Sequence, residues 1–235
     1  LYELTNNQTN SYFKIIDSYF DEIYEKVNAF NILGEITQQN YDSIVFYGEF
    51  LSTAILYIYS RFLKYDFSLI DSRDFIKTNS EFTKASVDFE NSSLEFKKNK
   101  DIFTQKSIII AQGFIASDLR GKTSTLGRGG SDYSATVFGL LLKENGINIS
   151  EIQIWTDVSG IYSADPRIIE NAFIIETITN SEIRILSYLG AKVLHPHTIT
   201  PAYLAKIPIR VLNTFKPEES GTLIDMSDNK KQATI

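Results

Sequence analysis

The sequence is poor in the residues that build cross-links and metal sites. Its 235 residues include no cysteine, one methionine, one tryptophan, two histidines and five prolines. The absence of cysteine excludes disulfide bonds and thiolate metal ligands. His195 and His197 flank a proline and have no third ligand beside them in the sequence, so we predict that the protein holds no metal ion of its own.

Long apolar runs and a targeting segment are also missing. No apolar run approaches the roughly 20 residues that a helix needs to cross a bilayer, and no stretch reads as a signal peptide. The formal net charge is -6, whereas a surface that binds nucleic acid is usually basic. We therefore expect a cytoplasmic protein that binds neither a membrane nor nucleic acid.

The remaining composition is that of a globular protein, with 43% hydrophobic and 22% charged residues. The length allows one large domain or two small ones. The first predicted element is an amphipathic helix, because apolar residues recur at alternating spacings of three and four and so share one face. These residues are Phe13, Ile16, Phe20, Ile23, Val27 and Phe30.

A second helix is predicted from Tyr41 to Leu63, and it is apolar almost all round, which is typical of a buried helix. Glu49 stands in its middle, beside Gly48. A carboxylate among apolar side chains is costly unless it is paired. Glu49 therefore either faces water at the rim of the helix or is buried and binds a cationic partner. The sequence pattern leaves both interpretations open.

Strands alternate with helices along the rest of the chain. The predicted strands cover residues 67–71, 107–114, 152–156 and 207–212, and further helices begin at Tyr133 and cover residues 181–189. Residues 74–93 are polar and are predicted to be irregular. The alternation predicts an α/β fold, an open and mostly parallel sheet sandwiched between helices. Ligands bind outside the carboxyl ends of such strands, so loops 112–132 and 156–167 are expected to open on one edge.

The run from Thr123 to Asp132 carries two kinds of anion-binding group. Its glycines leave backbone N–H groups uncovered, and Arg128 places a fixed cation among them. We expect Ser131 or Asp132 to cap the helix that follows, so that the helix N-terminus adds positive potential. The run suits a carboxylate or a phosphate, and the competing interpretation is a plain glycine-rich connection.

The neighbouring run from Ala116 to Thr123 nearly matches a phosphate-binding P-loop. A true P-loop needs a helix that starts at its Gly-Lys-Thr, so that the helix N-terminus meets the phosphates. The glycines that follow delay the next helix until about Ser131. The P-loop interpretation is therefore disfavoured.

Two later segments offer groups for a nucleotide. The run from Trp155 to Arg167 supplies hydroxyl, carboxylate and aromatic groups that suit a base and a ribose, and the forked donors of Arg167 suit a phosphate. Lys192 lies among small apolar residues, where a lysine delivers a compact charge. The competing interpretations are an ordinary surface loop and a lysine that extends to the surface.

Taken together, these motifs resemble aspartokinase, a member of the amino-acid kinase family with a carbamate-kinase-like fold. The resemblance rests on the order and spacing of five blocks and covers nearly the whole chain. The blocks are Gly48-Glu49 with Ser52, residues 123–132, residues 155–167, residues 190–196, and Asn213-Thr214-Phe215 with residues 221–224. The glycine-arginine and Trp-Thr-Asp blocks resemble aspartokinase more than acetylglutamate, glutamate 5- or uridylate kinases.

The resemblance implies an activity: ATP-dependent phosphorylation of the side-chain carboxylate of L-aspartate to 4-phospho-L-aspartate, the first step towards lysine, threonine and methionine. It implies that Glu49 binds the ammonium of the substrate, that Arg128 binds its carboxylate and that Ser131 lies in the same site. Asp132 would organise the lysines around the transferred phosphoryl group. We expect the protein to use ATP and Mg²⁺, with Mg²⁺ bridging the phosphates. We also expect it to form a homo-oligomer, namely a dimer.

The same resemblance assigns nucleotide contacts. The implied nucleotide-binding residues are Thr156, Asp157, Tyr162, Arg167, Lys192 and Val193, of which Lys192 is also implied in catalysis. The family's N-terminal strand and lysine-bearing phosphate loop, and its regulatory domains, have no counterpart here. We therefore expect residues 1–224 to be an incomplete catalytic domain, residues 225–235 to be a linker, and the chain alone to be weakly active or inactive.

Two other classes of protein stay open at this point. One is a P-loop or other nucleotide kinase, in which Lys122 rather than Lys192 would bind ATP. The other is a module that binds an amino acid or a nucleotide without turning it over.

Overall fold

The computed structural model describes residues 10–105, 108–188 and 194–227, and it divides the chain into two compact units, residues 1–131 and 132–235. The helices of the first unit are α1 (Asn10–Leu33), α2 (Gln38–Phe62), α3 (Ser72–Phe75), α4 (Phe89–Asn99) and α5 (Asp101–Gln105). Its strands are β1 (Phe67–Leu69), β2 (Lys77–Thr78), β3 (Ile108–Ile110), β4 (Ile115–Asp118) and β5 (Thr123–Thr125).

Strand pairing in the first unit is mainly parallel. β1 pairs in parallel with β3, and Ser68 lies opposite Ile109. β2 pairs in parallel with β4, and β5 returns antiparallel to β4 as the second arm of a hairpin. The strands 67–71 and 107–114 were therefore predicted too long, since pairing ends at Leu69 and at Ile110.

The core of the first unit forms where α1 and α2 meet β4. Phe46, Tyr47 and Ile115 are buried together, and Tyr19 and Ile23 pack against them. The buried side of α1 therefore includes Tyr19, while Phe20 and Val27, which we predicted on the apolar face, are 57% and 47% exposed. The prediction was wrong at these two positions because the helix presents the neighbouring residues to α2.

The second helix, α2, is not buried all round as predicted. Its side chains at Tyr41, Leu56 and Phe62 are 52%, 50% and 44% exposed. By length and composition α2 is also apolar enough to cross a membrane. Our expectation that no segment reaches that threshold was wrong, since few charges interrupt the helix. Phe46 and Tyr47 of α2 pack in the core of the first unit, and helices of a protein core also pass this test.

Residues 74–93 are more regular than predicted, since parts of α3, β2 and α4 fall within them. Helix α4 begins after Asp88, whose carboxylate accepts a hydrogen bond from the backbone N–H of Asn91 at 3.0 Å, as an N-cap does. Phe75 packs edge-on against Phe96, with ring centroids 5.9 Å apart. A few apolar residues, Phe75 and Ile76 among them, thus anchor this segment, although most of it is not buried.

The second unit contains α6 (Gly130–Glu144), which starts just before the division, α7 (Asn180–Tyr188) and α8 (Pro196–Ala205). Its strands are β6 (Ile152–Thr156), β7 (Thr177–Thr179), β8 (Ile209–Asn213) and β9 (Thr222–Asp225), in the sheet order β6-β8-β9-β7. β6 and β8 are parallel, β7 and β9 are parallel, and β8 and β9 are antiparallel.

The first strand of the second unit, β6, has the bounds that we predicted from the sequence. The last predicted strand is shifted to β8, and β9 adds a strand that we had not predicted. Asp225, which we assigned to the polar linker, ends β9, and Met226 is buried. The fold therefore continues at least to Met226, whereas residues 228–235 lie outside the described residues.

The α/β class with mainly parallel pairing is confirmed. Within the described residues, the pairing is distributed over sheets of two, three and four strands. Several elements were missed, and they are β2, β4, β5, β7, β9, α3, α4, α5 and α8. Strands of two to four residues that bury polar side chains, such as Ser117 and Ser124, carry little hydrophobic pattern.

Candidate active site

The glycine-arginine run forms a tight turn between β5 and α6. Gly127 and Gly129, on either side of Arg128, have φ of +71° and +70°, which glycine adopts at little cost. The N–H of Gly130 donates to the carbonyl of Gly127 at 3.0 Å and closes the turn. Arg128 is exposed at its tip, and its guanidinium has no ion pair or hydrogen bond with the residues that the structure describes. A cation held in this way is available to an anion.

The helix after the turn begins earlier than predicted, since we expected it to start no earlier than about Ser131 and to run from Tyr133. α6 starts at Gly130, so Ser131 and Asp132 lie in its first turn and neither is its cap. Ser131 is exposed and Asp132 is half-buried. An acidic residue in the first turn still interacts favourably with the helix dipole. Burial raises the pKa of the Asp132 carboxyl.

A glycine at the end of the loop after β3 allows the chain to approach the start of α6 closely. A Cβ added to Gly113 would lie 2.9 Å from the Cβ of Ser131, closer than two carbon atoms can pack. The residue must therefore be glycine for Ser131 to occupy its place. The sequence showed only that a glycine ends the predicted strand, and it did not reveal this contact.

Glu49 is half-buried on α2, and burial raises the pKa of its carboxyl. Within the described part of the chain, the carboxylate has no cationic partner. The backbone carbonyl of Glu49 accepts a hydrogen bond from the Thr53 hydroxyl at 2.7 Å. Of the two readings left open by the sequence, the structure favours a carboxylate that lacks a partner over one that simply faces water. Such a group gains from binding an ammonium ion.

The Trp-led loop begins at the carboxyl end of β6. The Thr156 hydroxyl donates to the Asp157 carboxylate at 3.1 Å, and the Thr156 carbonyl accepts from the N–H of Thr214 at 2.8 Å. Asp157 is exposed. The amide of Asn213, which ends β8, donates to the Ser159 hydroxyl at 2.9 Å. Two parallel strands thus place polar groups at one end of the sheet in this unit.

A buried hydroxyl fixes the middle of the same loop. Thr222 of β9 accepts a hydrogen bond from the N–H of Ile161 at 2.8 Å and donates to the carbonyl of Ile175 at 2.6 Å. Its neighbour in space, Gly160, has φ of +140° and leaves no room for a Cβ beside Thr222. Tyr162 follows directly and lines a cavity of about 730 Å³ together with Phe173 and Leu186. In the sequence, Thr222 was noted only as part of a motif, and its two buried hydrogen bonds were not predicted.

The remaining predicted phosphate contacts are less defined. The Arg167 guanidinium is bound by the Asp165 carboxylate at 2.7 Å, and its side chain is 85% exposed. It would have to exchange this partner to bind a phosphate. Lys192 and Val193 lie outside the described residues. The expectation that loops 112–132 and 156–167 open on one edge concerns both units and stays a prediction.

The near match to a P-loop is a hairpin. Asp118, at the end of β4, accepts hydrogen bonds from the N–H groups of Arg120 and Lys122, each at 2.9 Å. β5 then runs antiparallel to β4. A strand follows where a P-loop requires a helix N-terminus, so the P-loop interpretation fails for a structural reason.

Comparison with known proteins now identifies the class. The model of the amino acid kinase family matches residues 6–213, which is most of the chain. The chain belongs to the amino acid kinase family. A UMP kinase structure from Bacillus anthracis, 16% identical with a TM-score of 0.51, shares the fold.

Within that family, the chain is similar to aspartokinases, as its motifs indicated. Lysine-sensitive aspartokinase 3 of Escherichia coli (strain K12) is 37% identical over 183 residues, which are 78% of this chain and 40% of that protein. The aspartokinase of Chlamydia muridarum is 32% identical over 215 residues, which are 92% of this chain and 48% of that protein. The chain thus spans half the length of these relatives or less.

A solved structure gives the same result. The crystal structure of E. coli aspartokinase III in complex with aspartate and ADP has a TM-score of 0.85 with this chain and is 32% identical to it. The match covers 94% of this chain and 48% of that chain.

Proposed function

We propose that the protein is an aspartate kinase, which transfers the γ-phosphoryl group of ATP to the side-chain carboxylate of L-aspartate. The observation that carries this proposal is a pair of charges in the first unit, the half-buried Glu49 carboxylate and the exposed Arg128 guanidinium, neither of which has an ionic partner among the described residues. Opposite charges of this kind match the ammonium and the α-carboxylate of an amino acid. The similar E. coli enzyme was crystallised with aspartate and ADP, which supports the assignment.

The reaction forms a bond between a carboxylate oxygen of aspartate and the γ-phosphorus, and it breaks the bond from that phosphorus to the β,γ-bridging oxygen. ADP leaves with the electron pair of the broken bond. The protein contributes mainly alignment and charge neutralisation in this chemistry. Glu49 and Arg128 hold the α-substituents of the substrate, so that its side-chain carboxylate is the one presented. Ser131 contributes its exposed hydroxyl next to the turn.

Asp132 serves the transferred group without forming a covalent bond to it. Its carboxyl is half-buried, and burial raises its pKa, so the ionised form gains from a nearby cation, which it attracts more strongly there than in water. We propose that it orients lysine side chains, Lys192 among them, around the phosphoryl group. Mg²⁺, which kinases use in general, would neutralise the charge of the ATP phosphates. The hard oxygen donor of Asp132 fits such an ion.

The Trp-led loop is proposed to bind the nucleotide. Thr156 and Asp157 provide a hydroxyl and an exposed carboxylate that suit the ribose, and Tyr162 provides an aromatic face beside an apolar cavity. Arg167 would bind phosphate after releasing Asp165, and Val193 would contact the nucleotide beside Lys192. The similar E. coli enzyme was crystallised with ADP, which supports a nucleotide site in this protein.

A panel of acceptors tests the proposal. The full-length protein is mixed with MgATP and, separately, with aspartate, glutamate, N-acetylglutamate or UMP, and both ADP release and acyl phosphate trapped as hydroxamate are measured. We expect ADP and hydroxamate in equal amounts with aspartate alone. Product from UMP would contradict the proposal, and binding of aspartate and ATP without product would favour the non-catalytic module.

We further propose a cytoplasmic homodimer. The support for self-association is a row of apolar side chains along one face of α2, each 40–50% exposed, namely Ile55, Leu56, Tyr59 and Phe62. Exposed apolar side chains on one helix face often mark a protein–protein contact. Light scattering of the purified protein should give twice the monomer mass, and Leu56→Asp should halve it. A wild-type monomer would contradict this proposal.

The cysteine-free composition suits a reducing compartment, and fractionation of the source cells tests the location.

A further inference from the structure

Asp42 is a buried carboxylate that the activity described above does not use. It lies on α2 and is 0% exposed. One of its oxygens accepts hydrogen bonds from the N–H groups of Thr83 and Thr125, at 2.8 and 2.9 Å. The other accepts from the Thr125 hydroxyl at 2.9 Å. A single side chain thus connects α2 to two other segments of the first unit.

Both of these segments support the turn that carries Arg128. Thr125 is the last residue of β5, three residues before Arg128. The loop at Thr83 lies directly under the turn, because a Cβ added to Gly127 would be 3.2 Å from the Thr83 carbonyl. The N–H of Ala85 also donates to the Thr125 carbonyl at 2.9 Å. The loop and the end of β5 therefore form one unit beneath the arginine.

The backbone at Thr83 depends on this arrangement. Thr83 has φ of +69°, which is unfavourable for a β-branched residue. Such a conformation persists only where surrounding contacts hold it. The hydrogen bond from its N–H to Asp42 is one such contact, so loss of Asp42 is expected to release the loop.

The other end of the connection is the helix that carries Glu49. Asp42 and Glu49 are seven residues apart on α2, which is two helical turns and therefore the same face. We infer that Asp42 is a positioning residue that fixes the Arg128 turn relative to the Glu49 carboxylate, and so sets the distance between the two groups that bind the amino acid. This inference rests on the proposed function.

The first unit contains a matched control. Asp118 is 2% exposed and, like Asp42, accepts hydrogen bonds from two backbone N–H groups and one hydroxyl, those of Arg120, Lys122 and Ser80. It closes the far end of the β4–β5 hairpin and has no hydrogen bond to α2 among those of the described residues. Asp118 also binds the Arg120 guanidinium, so Asp118→Ala removes at least as many contacts as Asp42→Ala, but Asp42→Ala alone disconnects the proposed site.

The test compares KM for the two substrates in the full-length protein. We expect Asp42→Ala to raise the KM for aspartate about tenfold or more, because displacement of a binding group by about 1 Å has effects of that size. The KM for ATP should change by less than about twofold, because the displaced group is proposed to bind aspartate and not ATP. Asp118→Ala should lower the unfolding temperature without changing either KM. Equal aspartate effects in the two variants, or an equal rise for both substrates in Asp42→Ala, would overturn the inference.

A conservative variant separates geometry from charge. Asn at position 42 can keep its amide oxygen on the two N–H groups and donate its NH₂ to the Thr125 hydroxyl. Asp42→Asn should therefore keep an aspartate KM close to that of the wild type, and an effect as large as that of Asp42→Ala would contradict a positioning role. If Asp42→Ala does not fold, Thr125→Val removes only the hydroxyl contact. It should raise the KM for aspartate, whereas Thr125→Ser should restore it.

These outcomes differ from failure of the proposed function. If the wild-type protein does not bind aspartate, the proposed function is wrong. If the wild type binds aspartate and Asp42→Ala binds it equally well, the inference about Asp42 alone is wrong.

Discussion

Removal of the Arg128 guanidinium is expected to weaken aspartate far more than ATP. The group is exposed and lacks a partner in the described part of the chain. If it stayed solvated in the complex, Arg128→Ala would cost less than about 1 kcal/mol, as exposed ion pairs do. A carboxylate that occupies both donors of the fork in a closed site raises the cost to about 2–5 kcal/mol. That range corresponds to a loss of affinity of about 30-fold to about 4000-fold.

Calorimetric titration of the full-length protein with aspartate, and separately with a non-hydrolysable ATP analogue, measures both effects. Arg120→Ala is the control, because Arg120 lies in the same unit, is 64% exposed and is paired with Asp118. It should leave both affinities unchanged. Equal losses of aspartate and nucleotide affinity in Arg128→Ala would contradict the assignment of Arg128 to the carboxylate of aspartate. If neither affinity falls, Arg128 does not belong to the binding site.

Three further substitutions test other parts of the account. Burial raises the pKa of Glu49, so its ionised form is disfavoured in the folded protein. Glu49→Gln should therefore increase the free energy of unfolding, and this increase should grow as the pH rises through the raised pKa. The same substitution should lower the affinity for aspartate. Denaturant unfolding from pH 4 to 8 measures the change in stability, and a stability difference that shrinks with rising pH would contradict the prediction. Tyr162→Ala should raise the KM for ATP and not that for aspartate, and Tyr162→Phe should have little effect; the reverse substrate pattern would reject the nucleotide assignment. Thr222→Val leaves the N–H of Ile161 without its buried acceptor and should lower the free energy of unfolding by about 1–3 kcal/mol. Thr222→Ser should recover most of that loss, and a Val variant as stable as the wild type would show that the hydrogen bond is unimportant.

The sequence predicted those features that depend on strong local patterns. β6 alternates buried and exposed residues, with Ile152 and Ile154 inward, and its bounds were predicted correctly. The glycine-arginine turn was located because glycine accepts the positive φ that a tight turn requires. Amphipathic periodicity likewise identified α1, and a long, almost wholly apolar stretch identified α2, although the buried faces of both helices were assigned less well.

Features that depend on contacts between distant segments could not be predicted. Asp42 was hidden within an apolar helix, since its partners at Thr83 and Thr125 are 41 and 83 residues away. The same is true of Gly113 against Ser131, a contact that only tertiary structure creates. The short strands of the β4–β5 hairpin bury polar residues, which periodicity assigns to the surface. Sequence patterns therefore found the charged residues of the candidate site and missed the buried groups that hold them.

The position of the phosphoryl group on the product tests the assignment most directly. With Arg128 and Glu49 binding the α-carboxylate and the ammonium, the side-chain carboxylate is the one left to react. Reaction of the full-length protein with aspartate and MgATP, followed by hydroxylamine trapping and mass spectrometry, should give aspartate β-hydroxamate. Hydroxamate on the α-carboxyl carbon, or ADP release with no acyl phosphate at all, would contradict the account.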